Sequence, residues 1–352
     1  MELTLLLEKI QRHYRHQLPF VVYCKPEHDL ITVLLQRDST KFSAVNFDES
    51  GFLFAAFDGA TNILLPHSAC EMLFSTAGFP AANTKDSLPP ETDKEGQAFE
   101  KLVEKAILKI NEGAFTKVVL SRKEHEALTD FNLPQLIINL FATYPSAFRY
   151  CFFHPDAGLW MGATPEQLLK VKNNKFSTVA LAGTQKFNES ATVEWQSKER
   201  TEQQHVTDYI LENLKDSASE VSVSAPSTHR AGNLLHIKTN IDGIFKKGSD
   251  TGTLIKSLHP TPAVCGMPKR AAAAFIMENE GYDREFYTGY LGELNVEEKL
   301  DITTDLYVNL RCMKLTEQSA ALFVGCGVTG ESNPHNEFME TVFKSETMKK
   351  IL

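Results

Sequence analysis

The sequence lacks the patterns that mark nucleic-acid-binding, membrane-spanning and secreted proteins. It has no basic block, and 36 Lys and Arg against 45 Asp and Glu give a formal net charge of −9. That balance disfavours a nucleic acid or an anionic membrane as a partner. No apolar run approaches transmembrane length, and the N-terminal segment carries Glu2 where a secretion signal needs basic charge. We therefore expect a cytoplasmic protein.

Local metal-binding and redox motifs are also missing. The six cysteines are scattered, without a Cys-x-x-Cys spacing, and the 11 histidines include no His-x-x-x-His pair. Free buried thiols are expected, and a zinc site of the common local kinds is not. What the chain does have is length: 352 residues, of which 42% are hydrophobic, can build an enzyme-sized core as two ordinary domains or one large one.

The N-terminal part is predicted to open with a helix at 3–17. Short runs of β-branched and aromatic residues at 20–24, 30–35 and 52–57 then predict a small antiparallel meander. Composition changes at 81–95, which is polar and rich in proline. This segment is predicted to be an exposed connection and is the best candidate for a domain boundary.

Long strands mixed with helices are predicted for the rest of the chain. Helical periodicity covers 99–110, with Gly113 as a C-terminal cap. Further helices are expected at 134–142, 191–215 and 269–278. Strands are expected at 116–122, 148–153, 158–162, 176–181, 235–245, 286–294, 300–315 and 320–328. Sequential strand pairs of this kind favour an α+β protein over a doubly wound parallel sheet.

Two pairs of glutamates share one spacing. On a helix over 336–344, Glu337, Glu340 and Lys344 lie on one face, with Phe338, Val342 and Phe343 turned away. Glu199 and Glu202 repeat the three-residue spacing in another polar helical segment. The simplest interpretation is an exposed ion pair between Glu340 and Lys344, which contributes roughly 0.2–0.5 kcal/mol. The alternative is that the two pairs face each other across a divalent cation.

Lys117 and Glu166 could each carry acid–base chemistry if they are buried. A lysine in a strand usually lies at an edge or on the surface, but an interior position would favour the neutral amine, a usable general base. Glu166 follows Pro165, where an acid in the first turn of a helix is the ordinary interpretation. Buried, it would keep its proton and could act as a general acid.

Three other features could contact a ligand. The segment 325–330 matches G-x-G-x-x-G but lacks the βαβ context of a nucleotide site, so it is either a tight turn or a close approach of backbone amides to a carboxylate. Arg311, in a strand alternating over 300–315, would suit a bidentate carboxylate contact. His236 is a structural residue or a neutral donor to a substrate oxygen. The stiff segment 258–268, with three prolines, is a pocket wall or a buried loop.

These pieces together resemble the chorismate-utilising enzymes, in that family's order, from about Phe99 to the C-terminus. His236 and Arg311 belong to the set. The matching segments are Lys-Val-Val-Leu-Ser-Arg at 117–122, Gly-Ala-Thr-Pro-Glu at 162–166, Leu-Ala-Gly-Thr at 181–184, Lys-Glu-Arg-Thr-Glu at 198–202, His-Pro-Thr-Pro-Ala at 259–263, Tyr-Asp-Arg-Glu-Phe at 282–286, Gly-Cys-Gly at 325–327, and Glu-Phe-Met-Glu-Thr at 337–341 with Lys344.

Within that family the chain is similar to isochorismate synthases. Lys117 stands where anthranilate and aminodeoxychorismate synthases typically carry glutamine, and isochorismate and salicylate synthases use that lysine to activate water. Ala182 argues against the aminodeoxychorismate type. A polar residue at the position of Gln203 is similar to what the enzymes of the menaquinone-pathway branch carry. Salicylate synthase, the first component of anthranilate or aminodeoxychorismate synthase, and a non-catalytic chorismate-binding subunit stay open, as does a siderophore pathway.

The resemblance implies a site and a fold. Mg²⁺ would be bound by Glu202 and Glu340, with Glu199 and Glu337 reaching it through water. Lys117 would be the base and Glu166 the acid. The expected substrate contacts are Gly183, Thr184, His236, Ala263, Arg311, Gly325, Gly327 and Lys344. The implied fold has large central antiparallel sheets flanked by outer helices. Residues 1–95 would be its variable part and 96–352 the catalytic region, intertwined in one domain. We expect a monomer or homodimer with no obligatory glutaminase.

Overall fold

The computed structural model describes residues 1–76, 78–84, 94–186, 193–231 and 234–352. This part of the chain forms seven α-helices and eighteen strands. The helices are α1 (Leu3–Arg15), α2 (Lys94–Asn111), α3 (Leu133–Thr143), α4 (Ser197–Leu214), α5 (Thr251–Leu258), α6 (Lys269–Asn279) and α7 (Pro334–Lys349).

The strands fall along the whole chain. Those before α3 are β1 (Phe20–Cys24), β2 (Ile31–Gln36), β3 (Gly51–Ala55), β4 (Asn62–Pro66), β5 (Cys70–Ser75) and β6 (Lys117–Ala127). Those between α3 and α5 are β7 (Phe148–His154), β8 (Gly158–Thr164), β9 (Gln167–Lys172), β10 (Lys175–Lys186), β11 (Ala218–Val223), β12 (Ser227–Ala231) and β13 (Leu234–Phe245). The last are β14 (Gly266–Met267), β15 (Tyr290–Glu298), β16 (Asp301–Val308), β17 (Cys312–Leu315) and β18 (Ser319–Val328).

Local sequence explains where several helices begin. Asn132 accepts a hydrogen bond from the backbone of Gln135 at the start of α3, and Asp250 does the same for Thr253 at α5. Asn333 caps α7 by accepting from the backbone N–H of Asn336 at 3.0 Å. These side chains satisfy amides that have no partner inside the helix, which is why such residues favour helix starts.

The strands form two sheets, and the paired strands described here are antiparallel. The first sheet has the order β14, β6, β18, β17, β8, β7, β1, β2, β5. The second has the order β11, β13, β10, β9, β16, β15, β3, β4, with β12 also paired to β13. Strands from residues 1–95 thus extend both sheets formed by the later part of the chain. The division at residue 95 stays a prediction, and 85–93 of the polar connection lie outside the described residues.

An aromatic core fills the space between the two sheets. Phe54 of the second sheet stacks on Phe152 of the first at 4.3 Å and on Phe286 at 4.4 Å between ring centroids, and Trp160 beside them is fully buried. Other apolar clusters cover the outer faces of the sheets, where helices pack. Large antiparallel sheets with helices outside confirm the predicted α+β class.

The structure corrects several predicted elements. The single strand expected at 300–315 is two strands, β16 and β17, separated by a break at 309–311. The strand expected from Phe286 begins at Tyr290, and α4 begins at Ser197. No helix follows Pro165, because the chain enters β9 there. The strands β4, β5, β9, β11, β12 and β14 and the helix α5 were not predicted. Most of these elements are short, and a short element shows few repeats of a pattern.

Candidate active site

A cavity of about 240 Å³ lies where β6 and β18 of the first sheet approach β10 and β13 of the second, with α4 and α7 at its wall. Residues from separate parts of the sequence meet there. The predicted site residues that line it are Lys117, Glu166, Gly183, Glu199, Glu202, His236, Ala263, Arg311, Gly325, Gly327, Glu337, Glu340 and Lys344. Thr184 belongs to β10, but its side chain lies outside the described residues.

Apolar packing turns the acidic face of α7 toward the cavity. Phe338 and Val342 are buried against α2, β6 and β18, and Phe338 is 3% exposed. Arg122 of β6 donates from Nε to the hydroxyl of Thr341 at 2.8 Å, which fixes the helix on the sheet. Phe343, which also turns away from the ionic face, is 53% exposed and does not join this packing. At its position on the helix it faces solvent.

Two lysines hold two of the cavity carboxylates. Lys117 donates to Oε1 of Glu202 at 2.5 Å. Lys344 donates to Oε1 of Glu340 at 2.6 Å and to the carbonyl of Gly325 at 2.8 Å. Burial alone would raise the pKa of Glu340, but Lys344 and the more distant Arg311 outweigh it, so that the pKa lies below its usual value. Glu340 is therefore anionic at neutral pH.

The carboxylates of α4 and α7 fit a hard divalent cation. Within the described residues, no three His, Cys, Asp or Glu side chains already converge as a metal cluster. However, Oε2 of Glu199 is buried in the cavity wall and has no hydrogen-bond partner among the described residues. An anionic oxygen in that position is costly without a cation or water. Four carboxylates with room for water match what Mg²⁺ prefers.

Glu166 is the buried acid of the cavity. It lies between β8 and β9, where its own carbonyl accepts from the backbone of Val308 at 2.9 Å. Burial raises the pKa of its carboxyl to about 7, although Lys117, Lys344 and Arg311 act in the opposite direction. Glu166 can therefore hold a proton near neutral pH, while Lys117 across the cavity forms an ion pair with Glu202.

His236 of β13 is a neutral ring. Burial, together with the charges of Lys344 and Arg311, lowers its pKa to about 4. Its Nδ1 lies 3.1 Å from the carbonyl of Gly183. Because a carbonyl only accepts, the single proton of the neutral ring belongs on Nδ1. Nε2 is then an acceptor, so at this nitrogen the ring can receive a hydrogen bond but cannot be the donor that the sequence predicted.

Two glycines let the backbone approach the charged groups. Gly183 has φ of +72° at a bulge between β10 and β13, and a Cβ there would lie 2.9 Å from Cβ of Glu199. A Cβ on Gly327 would lie 3.1 Å from Cε of Lys117. Gly325 and Gly327 belong to β18 and flank the buried Cys326, so the interpretation of 325–330 as a tight turn is wrong for these residues.

Arg311 sits at the break between β16 and β17. Its φ of +45° is a conformation that non-glycine residues rarely adopt and that costs of order 1–3 kcal/mol. The carbonyl of Arg311 accepts from the backbone of Ala163 at 3.1 Å, which holds this conformation. The break allows Arg311 to line the cavity, whereas a continuous strand would have kept this residue within the sheet. Burial lowers its pKa, which still leaves an arginine charged.

Sequence reasoning missed much of the apolar wall. Leu310, Phe323, Tyr287 and Thr288 line the cavity beside the charged groups. Leu310 and Phe323 look like ordinary alternating strand residues, so the sequence gave no sign that they line a cavity. Tyr287 and Thr288 directly follow the segment 282–286, which had been singled out only as part of the resemblance.

Comparison with known proteins identifies the family. The model of the family described as "Chorismate binding enzyme" matches residues 66–352. The chain belongs to this family. The match confirms the resemblance seen in the sequence and starts earlier than Phe99.

Two curated relatives of the chorismate-binding family are 31% identical to this chain. One, from Pseudomonas aeruginosa, is named a salicylate biosynthesis isochorismate synthase, and the match covers 78% of this chain and 58% of that protein. The other is isochorismate synthase EntC of Escherichia coli, matched over 76% of this chain and 68% of its own length. The chain thus spans less than two thirds of the first relative's length.

A solved structure shows the same fold. It is MenF, the menaquinone-specific isochorismate synthase from Escherichia coli, which superimposes with a TM-score of 0.78 over 95% of this chain and 88% of its own. At 22% identity the likeness concerns the fold. Of the helices described here, none is long and apolar enough to cross a membrane.

Proposed function

We propose that this protein is an isochorismate synthase that converts chorismate into isochorismate with Mg²⁺. The observation that carries the proposal is that Lys117 and the protonatable Glu166 line one cavity together with both glutamate pairs. A base and an acid around one substrate are what hydration with loss of a hydroxyl requires. The printed names of the two curated relatives support the same activity.

The cations of the cavity would hold the two carboxylates of chorismate. Arg311 and Lys344 carry fixed positive charge, and a guanidinium can bind a carboxylate in a bidentate manner. The backbone at Gly325 and Gly327 and at Gly183 and Thr184 would border the ring and its carboxylate, with Ala263 as the opposite apolar wall. His236, as an acceptor at Nε2, would receive a hydrogen bond from a substrate hydroxyl.

Glu202 and Glu340 would bind Mg²⁺ directly, and Glu199 and Glu337 would reach it through water. When bound, the ion supplies positive charge that holds and neutralises the ring carboxylate. The partnerless oxygen of Glu199 supports this assignment. The two inner carboxylates would exchange their lysine partners for the cation.

The reaction exchanges one hydroxyl for another. Lys117, once its ammonium has left Glu202 and lost a proton to solvent, would take a proton from water as the oxygen of that water forms a bond to ring C2. Both ring double bonds shift by one position, and the C4–O bond breaks as Glu166 gives its proton to the departing hydroxyl, which leaves as water. One water enters and one leaves, so the product is an isomer. Because water is the nucleophile, we propose that no glutaminase subunit is needed. We also propose that the protein acts in the cytoplasm.

The proposed activity is tested by incubating the protein with chorismate and Mg²⁺ and identifying the products by chromatography. We expect isochorismate without release of pyruvate. Salicylate with an equal amount of pyruvate would instead identify a salicylate synthase. Chorismate binding without turnover, measured by calorimetry, would identify a non-catalytic subunit.

Replacing Glu340 with glutamine should weaken Mg²⁺ binding by roughly 100-fold or more, because it removes a charged ligand, and loss of an outer contact alone costs about 10- to 100-fold. Isothermal calorimetry with MgCl₂ measures the change directly, and the Mg²⁺ concentration needed for half-maximal activity should rise in parallel.

The matched control for this prediction is Glu346→Gln on the same helix. Glu346 does not line the cavity, and its Oε1 lies 4.0 Å from Nζ of Lys349. The control should bind Mg²⁺ like the parent. If Glu340→Gln also binds Mg²⁺ and chorismate as tightly as the parent, the metal assignment is wrong.

A further inference from the structure

A fully buried ion pair lies behind the cavity without lining it. Arg284 and Glu280 are only 2% and 1% exposed, and they form a bidentate contact. The guanidinium donates from Nη2 to Oε1 at 2.5 Å and from Nε to Oε2 at 2.7 Å. Neither residue contacts the proposed substrate volume, so the proposed mechanism gives them no part.

The remaining donors of Arg284 reach three different walls of the cavity. Nη2 donates to the carbonyl of Val119 at 2.7 Å. Nη1 donates to the carbonyl of Val264 at 3.0 Å and to the hydroxyl of Thr288 at 3.2 Å. Val119, Val264 and Thr288 all line the cavity and come from β6, the segment before β14 and the turn before β15.

Glu280 also holds β6, through further hydrogen bonds that its carboxylate accepts. Its Oε1 accepts from the backbone N–H of Ser121 at 2.7 Å and from the Ser121 hydroxyl at 3.0 Å. On this edge of β6, strand β14 pairs only with Lys117 and Val118. Beyond the end of β14, the ion pair therefore supplies the hydrogen-bond partners of this edge of β6, at Val119 and Ser121.

One of the groups held is strained. Thr288 has φ of +59°, a conformation that is costly for a β-branched residue. Such a residue persists only where its surroundings fix it, and such strain concentrates at functional sites. Here the surroundings are the hydrogen bond from Arg284 and a backbone hydrogen bond to the carbonyl of Asn309 at 2.9 Å.

The environment keeps the pair ionised. Burial alone would favour the neutral form of Arg284, but the Glu280 carboxylate outweighs it and raises the pKa of the guanidinium. The guanidinium carbon also lies 4.6 Å from the centre of the Phe57 ring, where a cation is favoured. Both partners are thus charged and fixed in one geometry.

We propose that the Glu280–Arg284 pair positions the reacting groups: it sets β6 so that Lys117 faces the substrate, and it holds Val264 and Thr288 against the substrate's other side. This inference rests on the proposed function. The pair acts through Lys117 and the walls, so it is a positioning element. An ordinary stabilising role explains it less well, because apolar replacement of a buried ion pair is often neutral for stability.

The test is the double variant E280L/R284M, which removes both charges together and so leaves no uncompensated charge in the core. It should stay folded at the assay temperature but unfold at a lower temperature than the parent, because backbone groups of Val119, Ser121 and Val264 lose their partners. Hydrogen–deuterium exchange of the peptide 117–124 should become faster, because the edge of β6 loses its partners. The kcat should fall by about 100-fold, as expected for a displacement near 1 Å of a reacting group. Mg²⁺ affinity should stay unchanged, because α4 and α7 do not contact the pair.

The matched control is E285L/K314M, which removes a nearby ion pair that is about one third exposed and does not line the cavity. It should leave exchange in 117–124 and kcat unchanged. The conservative variant Arg284→Lys keeps the charge but cannot reach all three walls, and its kcat should lie between those of the parent and the double variant.

The outcomes separate this inference from the proposed function. Faster exchange with lowered kcat and unchanged Mg²⁺ affinity supports positioning. Unchanged exchange, or an unchanged kcat despite faster exchange, overturns it, and so does a parallel loss of kcat, Mg²⁺ affinity and thermal stability. A parent protein that does not convert chorismate refutes the proposed function, and the exchange data then still decide whether the pair orders β6.

Discussion

Replacing Lys117 with methionine should lower the kcat for chorismate conversion by about 10²- to 10⁴-fold, the range typical for loss of a general base. Methionine keeps most of the apolar stem but cannot take a proton from water. Substrate binding should change by only a few-fold, because Arg311 and Lys344 still hold the carboxylates. Steady-state kinetics together with chorismate calorimetry separate the two effects.

Lys123 provides the matched control for Lys117. It lies on the same strand, but its ammonium is over the ring of Tyr282 at 5.0 Å and does not line the cavity. Lys123→Met should keep kcat within about twofold of the parent. Mg²⁺ affinity should not fall in Lys117→Met, because Glu202 loses only its lysine partner. Full activity of Lys117→Met would remove the proposed base.

The sequence identified the charged residues of the cavity better than it identified the walls that hold them. The spacing of Glu337, Glu340 and Lys344 identified one helix face correctly, and the same argument applied to Glu199 and Glu202. Helical spacing involves residues close together in the chain, so it can be detected in a single sequence. That the two faces meet depends on strand pairings between distant segments, such as Gly327 with Val119, which no local pattern encodes.

Backbone strain was the feature least visible in the sequence. Clean alternation over 300–315 predicted a continuous strand with Arg311 on its polar face. The chain breaks there, and Arg311 takes a positive φ because Ala163 and the neighbouring strands hold it. An arginine gives no sign of left-handed backbone, whereas a glycine would. The orientation of the guanidinium therefore follows from tertiary contacts.

The exposed position of Phe343 shows the limit of reading polarity alone. Phe338 and Val342 pack in the core, and Phe343 lies one step further around the helix, in solvent. The N-terminal strands were predicted only as a small antiparallel meander, because some of their hydrogen-bond partners, such as β7 for β1, lie more than a hundred residues away. Contacts of that sequence separation determine the sheet order.

Replacing Glu166 with glutamine should lower kcat by about 10²- to 10⁴-fold, because the amide fills the same space but has no acidic proton to give to the departing hydroxyl. Glu285→Gln is the control: Glu285 pairs with Lys314 and does not line the cavity, so its loss should leave kcat unchanged. A glutamine variant at 166 with parental kcat would assign the acid to another group.

The pH dependence of kcat/KM tests the same role without relying on a substitution, because it reports the protonation of the free enzyme. Burial raises the pKa of Glu166 to about 7, and the catalytic form is the protonated one. The proton is therefore present below pH 7, and kcat/KM should fall as the pH rises through about 7. In Glu166→Gln that descending limb should vanish from the residual activity. If the limb persists unchanged in the variant, the titrating acid is a different group, and the burial of Glu166 then serves the fold alone.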